Sequence, residues 1–268
     1  MSDAIEALSY LRALGEAGEG PHDIARAAVL LASLDRPGHP LEASLAHLED
    51  LAQHLRGKGL DGLPTAAATR RLAEAMSQHF GYEGDRLSYD DPKNADLIAV
   101  IARRRGLPVA LGILYIHAAR AGGLLASGLN TPGHFLLSVA SAAEEGGEFW
   151  LDPFNGGAAI ARDEVSGPGS DARAVSDTEV LLRLQNNLKL RALQLGHGAR
   201  ALEVAGRMAL IAPGHAEVWF DLARLNEEAG ILGAARKAYE ACLGLASAGA
   251  PLHNESALAL DSLKRRLN

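Results

Sequence analysis

Two residues of the chain, His134 and Asp152, have the types and the spacing of two thirds of a catalytic triad. His134 begins a strand-like stretch, HFLLSVA, and Asp152 lies near the end of a second one, EFWLDPF. In an antiparallel hairpin these positions lie side by side, and a carboxylate there can accept the Nδ1 proton of the imidazole and fix its tautomer. A nucleophile would complete the triad. The spacing alone leaves the alternative that Gly133-His134 and Asp152-Pro153 are turn residues.

Other residues whose side chains could bind a metal ion or an anion form weaker patterns. His47 and His54 are seven residues apart on one predicted helical face, but no third ligand accompanies them, so no metal site is expected. Three consecutive arginines, 103–105, precede Gly106 and suit a helix C-terminus, and on a helix they would point in different directions. The sequence has no phosphate-binding loop, dinucleotide fingerprint, G-x-S-x-G or paired Cys-x-x-Cys motif. No cofactor is therefore expected.

Composition and charge restrict the class of protein. The chain has 268 residues, 48% of them apolar, and a net charge of −7, which argues against a broad nucleic-acid interface. Its one cysteine, Cys242, excludes an internal disulfide and fits a reducing compartment. The longest apolar run, residues 107–116, is too short to span a bilayer, and the N-terminus lacks signal-peptide features. We expect a soluble, cytoplasmic protein without membrane or nucleic-acid partners.

The elements that must position His134 and Asp152 follow from the hydrophobic periodicity. Apolar residues at three- and four-residue spacing predict four helices before residue 81 and two more around Pro108, which prevents one continuous helix. The period then changes, and the sequence predicts strands over 134–140 and 148–154, with a third near 124–130. These patterns predict an α+β fold in which a small antiparallel sheet carries both residues.

Beyond a predicted linker at residues 163–177, the sequence is helical again and repeats itself. Trp219, Leu222, Ala235 and Tyr239 fall where a tetratricopeptide repeat has its large and small packing residues. We therefore predict three parts: a helical and α+β part over 1–162, the linker, and a tetratricopeptide-like helical region over 178–268.

Three segments of the chain resemble the SirB1 family, whose N-terminal domain is transglutaminase-like with a papain-related core. They are NADLIAVIARRRGLPVALGILYIHAARAGG, GLNTPGHFLLSVA and FWLDPFNGG. The downstream LLRLQNNLKLRAL and the tetratricopeptide-like tail are also similar to that family. The resemblance extends over residues 65–245 and implies a transglutaminase-like domain followed by a helical tail.

The resemblance also assigns roles to individual residues. In active members of the superfamily a cysteine at the start of a helix forms an acyl-enzyme, a histidine activates it, and an aspartate orients the histidine. By motif, His134 matches that histidine and Asp152 that aspartate, whereas the nucleophile position falls near Ala110. Asn94 matches an asparagine of the family pattern, which implies that it caps the helix at 95–105 or lines the cleft. Cys242 is expected to be a buried structural thiol in the tail.

The missing nucleophile decides the expected function. We expect a binding or regulatory module on a degenerate transglutaminase-like scaffold, with a protein or peptide partner on the helical tail. The alternative is a hydrolase or acyl transferase with His134 as base and Asp152 as orienter, in which His134 activates water directly. Whether the chain is an enzyme stays open at this point.

Overall fold

The computed structural model describes residues 2–131, 134–144, 147–161 and 172–267. The chain forms two compact units, one of residues 1–7 and 19–184, the other of residues 8–18 and 185–268. Pro132 and Gly133 of the predicted turn, and residues 163–171 of the predicted linker, lie outside the described residues. Among the described helices, none is both long enough and apolar enough to cross a bilayer.

The first unit contains most of the predicted helices. They are α2 (Ile24–Ser33), α3 (Glu42–Arg56), α4 (Thr65–Glu74), α5 (Leu97–Arg103) and α6 (Pro108–Ala121). Helix α4 continues into a π-helical turn, Ala75–His79. Pro108 is the first residue of α6, where its missing N–H costs nothing, and this start was predicted from the sequence. The periodic apolar residues of these helices are buried, as the amphipathic pattern requires.

A five-stranded antiparallel sheet completes the first unit. Its strands are β3 (Leu125–Thr131), β4 (His134–Ala140), β5 (Glu148–Asp152), β6 (Ala158–Ile160) and β7 (Arg173–Val175). Their order across the sheet is β6-β5-β4-β3-β7. A separate parallel pair, β1 (Glu83–Gly84) and β2 (Arg105–Gly106), joins the loop after α4 to the loop before α6. The predicted α+β class and the three predicted strands are confirmed, whereas β6 and β7 were not predicted.

Helix α6 packs closely against the sheet. A Cβ atom added to Gly112 would lie 2.3 Å from the ring of Phe135 and 3.4 Å from Leu137, both on β4. Glycine is therefore the residue that lets the helix backbone approach the strand. This contact sets the distance between the start of α6, where Ala110 lies, and the strand that begins at His134.

Helix α7 (Asp177–Gln194) begins in the first unit, where its first residue forms an ion pair with α6. Arg120 of α6 donates two hydrogen bonds to Asp177, at 2.7 and 2.8 Å, and Asp177 is 4% exposed. The backbone N–H of His22 donates to the same carboxylate at 2.7 Å. The two parallel bonds of the guanidinium and the additional donor satisfy the buried charge.

The described part of the predicted linker is not a linker. Residues Arg173–Val175 form β7 and pair with β3, and α7 begins at Asp177. The division between the two units falls inside α7, between Leu184 and Gln185, not at residues 163–177. The turn-forming residues of this segment predict a linker, but its last residues pair with a distant strand.

The second unit is helical. It contains α8 (Gly198–Ile211), α9 (Ala216–Glu228), α10 (Leu232–Leu245) and α11 (Pro251–Leu267). Residues 8–16 of the N-terminal helix α1 (Ser2–Glu16) also belong to this unit. A Cβ atom on Gly15 would lie 2.3 Å from the carbonyl oxygen of Leu210, so α1 approaches the end of α8 closely. Cys242 is buried, as predicted, and accepts a hydrogen bond from the Ser256 hydroxyl at 3.2 Å.

Candidate functional site

His134 is the first residue of β4, and its side chain is exposed. In the register of β3 and β4 it lies opposite Thr131, whose hydroxyl donates to the His134 carbonyl at 3.0 Å. The imidazole itself makes no hydrogen bond or ion pair with any residue that the structure describes. His134 is therefore held through its backbone, and its ring is open to solvent.

Asp152 is the last residue of β5 and is 8% exposed. Its Oδ1 accepts hydrogen bonds from the backbone N–H groups of Phe154 at 2.9 Å and Asn155 at 3.2 Å, and its Oδ2 accepts from the Asn155 side-chain amide. Asp152 thus caps the short 3-10 helix Pro153–Asn155, an arrangement typical of an Asx turn. The hydrogen bond to His134 that the sequence predicts is not formed among the described residues.

Ala110 is the third residue of α6 and has no exposed surface. The methyl side chain has no atom that can attack a carbonyl carbon, and the position is closed to solvent. The structure therefore places the three residues of the expected triad on α6, β4 and β5, but it does not connect them by side-chain hydrogen bonds within the described residues.

Asn94 is fully buried and holds a loop together. Its amide donates to the carbonyl of Ser88 at 2.6 Å, its Oδ1 accepts from Arg103 at 3.0 Å, and its own carbonyl accepts from the Leu107 N–H at 2.9 Å. The residue that caps α5 is Asp96, whose carboxylate accepts from the N–H of Ala99. The expectation that Asn94 caps this helix is wrong, because its side chain is directed to the preceding loop.

The hydroxyl of Ser88 is also committed to this loop. It donates to Asp85 at 2.7 Å, and Asp85 accepts further bonds from the N–H groups of Leu87 and Ser88 and from Arg103. The bonds from Ser88, first from its N–H and then from its hydroxyl, hold the pKa of Asp85 well below its usual range. These bonds hold the loop together, and it presents Leu87 with 91% of its surface exposed.

The three consecutive arginines, 103–105, were expected to point in different directions, and they do. Each has its own partner: Arg103 binds Asp85, Arg104 binds Tyr82 and His47, and Arg105 binds Glu83. Among the described residues, no group of three or more histidine, cysteine, aspartate or glutamate side chains is arranged to hold a metal ion.

Arg183, which no sequence pattern indicates, lies beside His134. This α7 residue donates to the His134 carbonyl at 3.1 Å and to Asn130 Oδ1 at 2.8 Å, and its guanidinium lies 5.4 Å above the Phe135 ring. Burial lowers the pKa of Arg183. No local pattern indicates this role, because Arg183 and His134 are 49 residues apart in the chain.

Aromatic and guanidinium groups continue the surface around His134. Arg86 lies 5.5 Å above the Phe154 ring and is hydrogen-bonded to Asn155. Tyr89 packs edge-on against the same ring at 5.8 Å, and it raises the pKa of Arg183 against the larger effect of burial. We call His134, Arg183, Tyr89, Phe154 and Arg86 the His134 surface.

Tyr115 is a second residue that the sequence did not indicate. It is fully buried on α6, and its hydroxyl has no hydrogen-bond partner among the described residues. Burial, and secondly the nearby Asp152 carboxylate, raise the pKa of Tyr115 well above its usual value. The hydrogen bonds of the Asp152 carboxylate within the described residues thus all come from its own turn.

Helix α6 packed against a small antiparallel sheet fits a transglutaminase-like domain. A family model for the transglutaminase-like superfamily matches residues 42–186, and the chain belongs to this superfamily. A UPF0162 protein of Xylella fastidiosa is 30% identical over 191 residues. The match covers 66% of this chain and 66% of the relative, which is just under two thirds of its length. A UPF0162 protein of Pseudomonas aeruginosa is 29% identical over 72% of this chain and 73% of its own.

A shorter similarity reaches a larger protein. F-box only protein 21 of Mus musculus is 35% identical over 63 residues, which are 24% of this chain and 10% of that protein. This match concerns one segment and supports no statement about the rest of either chain.

Proposed function

We propose that this chain is a non-catalytic, SirB1-type member of the superfamily that acts as a binding or regulatory module. The observation that carries the proposal is Ala110, which stands at the nucleophile position with only a methyl group and without exposed surface. Acyl transfer by the superfamily's thiol mechanism needs an accessible nucleophile at this point.

The environment of Asp152 supports the same proposal. A histidine that acts as the base of a triad is oriented by a carboxylate bonded to its second ring nitrogen. Here the Asp152 carboxylate accepts three bonds from its own turn, from Phe154 and Asn155. Among the described residues, Ala110 therefore offers no attacking atom, and the Asp152 carboxylate is bonded to its own turn and not to His134.

The His134 surface is suited to binding a protein or peptide. Two guanidinium groups lie over phenylalanine rings, Arg86 over Phe154 and Arg183 over Phe135, and Tyr89 lies beside them. Arginine and tyrosine held in fixed positions are the residue types that dominate binding energy in protein interfaces. The helices of the second unit, which we propose to be tetratricopeptide-like, offer a second surface of the kind that binds extended or helical peptides. We propose a cytoplasmic location and no nucleic-acid or membrane partner.

The test compares activity and binding in the same preparations. Wild type, His134→Ala and the control His39→Ala, an exposed histidine elsewhere in the first unit, are incubated with panels of peptide amides and esters. The proposal expects no turnover above buffer for any of them. A binding partner is also expected and is purified by its affinity for the wild-type protein. Tyr89→Ala should weaken binding of this partner at least tenfold, whereas His39→Ala should leave it unchanged.

The alternative is a hydrolase in which His134 activates water. One observation favours it: the His134 ring is exposed and makes no bond with the described residues, so it is available to take a proton. Such an enzyme would have no covalent intermediate. Turnover that is lost in His134→Ala and kept in His39→Ala would establish this alternative and refute the binding module.

A further inference from the structure

A groove on the first unit has the character of a ligand site, and none of its residues belongs to the His134 surface. It lies between α3 and α4 with the π-helical turn and encloses about 500 Å³. Its polar lining consists of His54, Lys58, Arg71, Glu74, Gln78 and His79. This volume is within the range of sites that bind small organic molecules.

Two stacked imidazoles form one end of the groove. The rings of His54 and His79 are parallel within 15°, with centroids 4.2 Å apart, and Phe80 packs edge-on against both. His79 belongs to the π-helical turn, in which the Phe80 N–H donates to the Ala75 carbonyl five residues earlier at 2.9 Å. Wide turns of this type occur frequently at functional sites, because they displace side chains from the regular helical positions.

The charges around the groove are unbalanced. His54 comes from α3, Lys58 from the turn that follows it, Arg71 and Glu74 from α4, and His79 from the π-helical turn. One carboxylate therefore faces two permanent cations and two imidazoles. Within the described part of the chain, neither Lys58 nor Arg71 forms an ion pair, and Arg71 donates only a long bond to the Lys58 carbonyl at 3.4 Å. Burial lowers the pKa of His54, and His79 and Lys58 lower it further. The groove therefore has a surplus of positive potential, which adds to burial in disfavouring protonation of His54.

We propose that the groove binds the phosphate group of a small phosphomonoester, with Lys58 and Arg71 as its cationic ligands and the stacked imidazoles as additional donors. A guanidinium and an ammonium are the side chains that bind phosphate oxygens best, one through its planar fork and the other as a point charge. The space beyond the phosphate accommodates the organic part of the ester. A bound dianion offsets the positive charge that lowers the pKa of His54, so binding is accompanied by uptake of a proton at His54.

Isothermal titration calorimetry of the whole protein tests the site, with phenyl phosphate, inorganic phosphate and sulfate as probes. Phenyl phosphate is expected to bind more tightly than inorganic phosphate, because its ring occupies the remaining space. Lys58→Met and Arg71→Met are each expected to weaken phenyl phosphate binding at least tenfold. The matched control is Arg70→Met, which removes the same charge from an exposed, neighbouring position of α4 that does not line the groove.

Proton uptake is tested with sulfate, whose own charge is constant near neutral pH. Its association constant is expected to fall as pH rises from about 6 to 8, by up to tenfold per pH unit for one linked proton. The double variant His54→Gln, His79→Gln removes this dependence, and retained circular dichroism and melting temperature show that it is folded.

Three results would overturn the proposal. Wild type that binds none of the probes at millimolar concentration has no such site. Equal losses in Arg70→Met and Arg71→Met indicate general attraction by surface charge and not a groove. Zinc binding that depends on His54 and His79, without any anion binding, would make the imidazole pair part of a metal site instead.

Discussion

The carboxylate of Asp152 is bonded to the side-chain amide of Asn155, three residues further along the chain, and in the described structure it is not bonded to His134. Two functions compete for an aspartate at the end of a strand: capping the next turn and orienting a histidine on the adjacent strand. The N–H groups of the following residues are close in the chain, so capping costs little conformational entropy. In this chain the Asp152 carboxylate caps the turn.

The first prediction concerns the contribution of that cap to stability. Asp152→Ala is expected to lower the free energy of unfolding by about 0.5–2 kcal/mol, because two backbone N–H groups lose their acceptor. Asp152→Asn retains an acceptor oxygen and should lose less than half of that amount. Urea unfolding followed by circular dichroism measures both. Equal losses in the two variants would show that the charge, and not the cap, is what the fold requires.

The second prediction concerns the contact between α6 and β4. Gly112→Ala places a methyl group 2.3 Å from the Phe135 ring, so we expect a loss of about 1–3 kcal/mol from overpacking. The control is Gly206→Ala on α8, where no atom lies within 4 Å of the added Cβ and alanine should instead stabilise the helix by about 0.5–1 kcal/mol. Melting curves measure both, and a neutral Gly112→Ala would contradict the close approach.

The third prediction is a pH dependence of stability that originates at His47. The Tyr82 hydroxyl lies 2.8 Å from His47 Nε2, and the Arg104 guanidinium also contacts the His47 ring. Burial, and secondly the Arg104 charge, lower the pKa of His47 to about 4 from its ordinary value of 6.5. The unfolded chain therefore binds a proton here at a higher pH than the folded chain does.

It follows that the contribution of His47 to stability is fully present above pH 6.5 and is lost as pH falls towards 4. The slope is less than about 1.4 kcal/mol per pH unit, because the side chain is only partly buried. His47→Gln should flatten the profile in this interval, whereas His39→Gln at an exposed position should retain it. Urea midpoints at several pH values provide the measurement. An unchanged slope in His47→Gln would assign the dependence to other groups.

The fourth prediction concerns the position of the missing nucleophile. Ala110→Cys introduces a thiol at a site without exposed surface, so it should react slowly with iodoacetamide and should not create acyl-transfer activity. Ser247→Cys, at an exposed position, provides the fast-reacting comparison. The native Cys242 is buried and contributes only a slow background. Rapid alkylation of Ala110→Cys would mean that the start of α6 opens to solvent.

The helices and the three central strands were predictable from the sequence because their signals are local. The apolar stripe of α3 and the position of Pro108 at the start of α6 depend only on residues a few positions apart. Strand β7 was not predictable, because Arg173–Val175 has only three residues within a polar, flexible-looking segment. Its strand conformation comes from pairing with β3, more than forty residues earlier in the chain.

The candidate site was predictable only in part, for similar physical reasons. The types and order of His134 and Asp152 are visible in the sequence, but Asp-Pro-Phe-Asn describes a capped turn as well as it describes an orienting aspartate. Arg183 is positioned by the packing of α7 on the sheet, which no local pattern records. Residue identity is therefore readable from the sequence, whereas the hydrogen-bond partners of each group depend on the folded chain.

The late position of β7 and Asp177 in the chain has a consequence for folding during synthesis. A ribosome releases β3, β4, β5 and the whole of α6 before the residues that cover the outer edge of β3 and neutralise Arg120. A nascent chain arrested before Arg173 therefore has a bare strand edge and an unpaired cation, and it should be cleaved rapidly by added protease. A nascent chain arrested after Leu184 has left the exit tunnel should resist the protease. The first unit therefore completes its folding only when translation has entered the second unit.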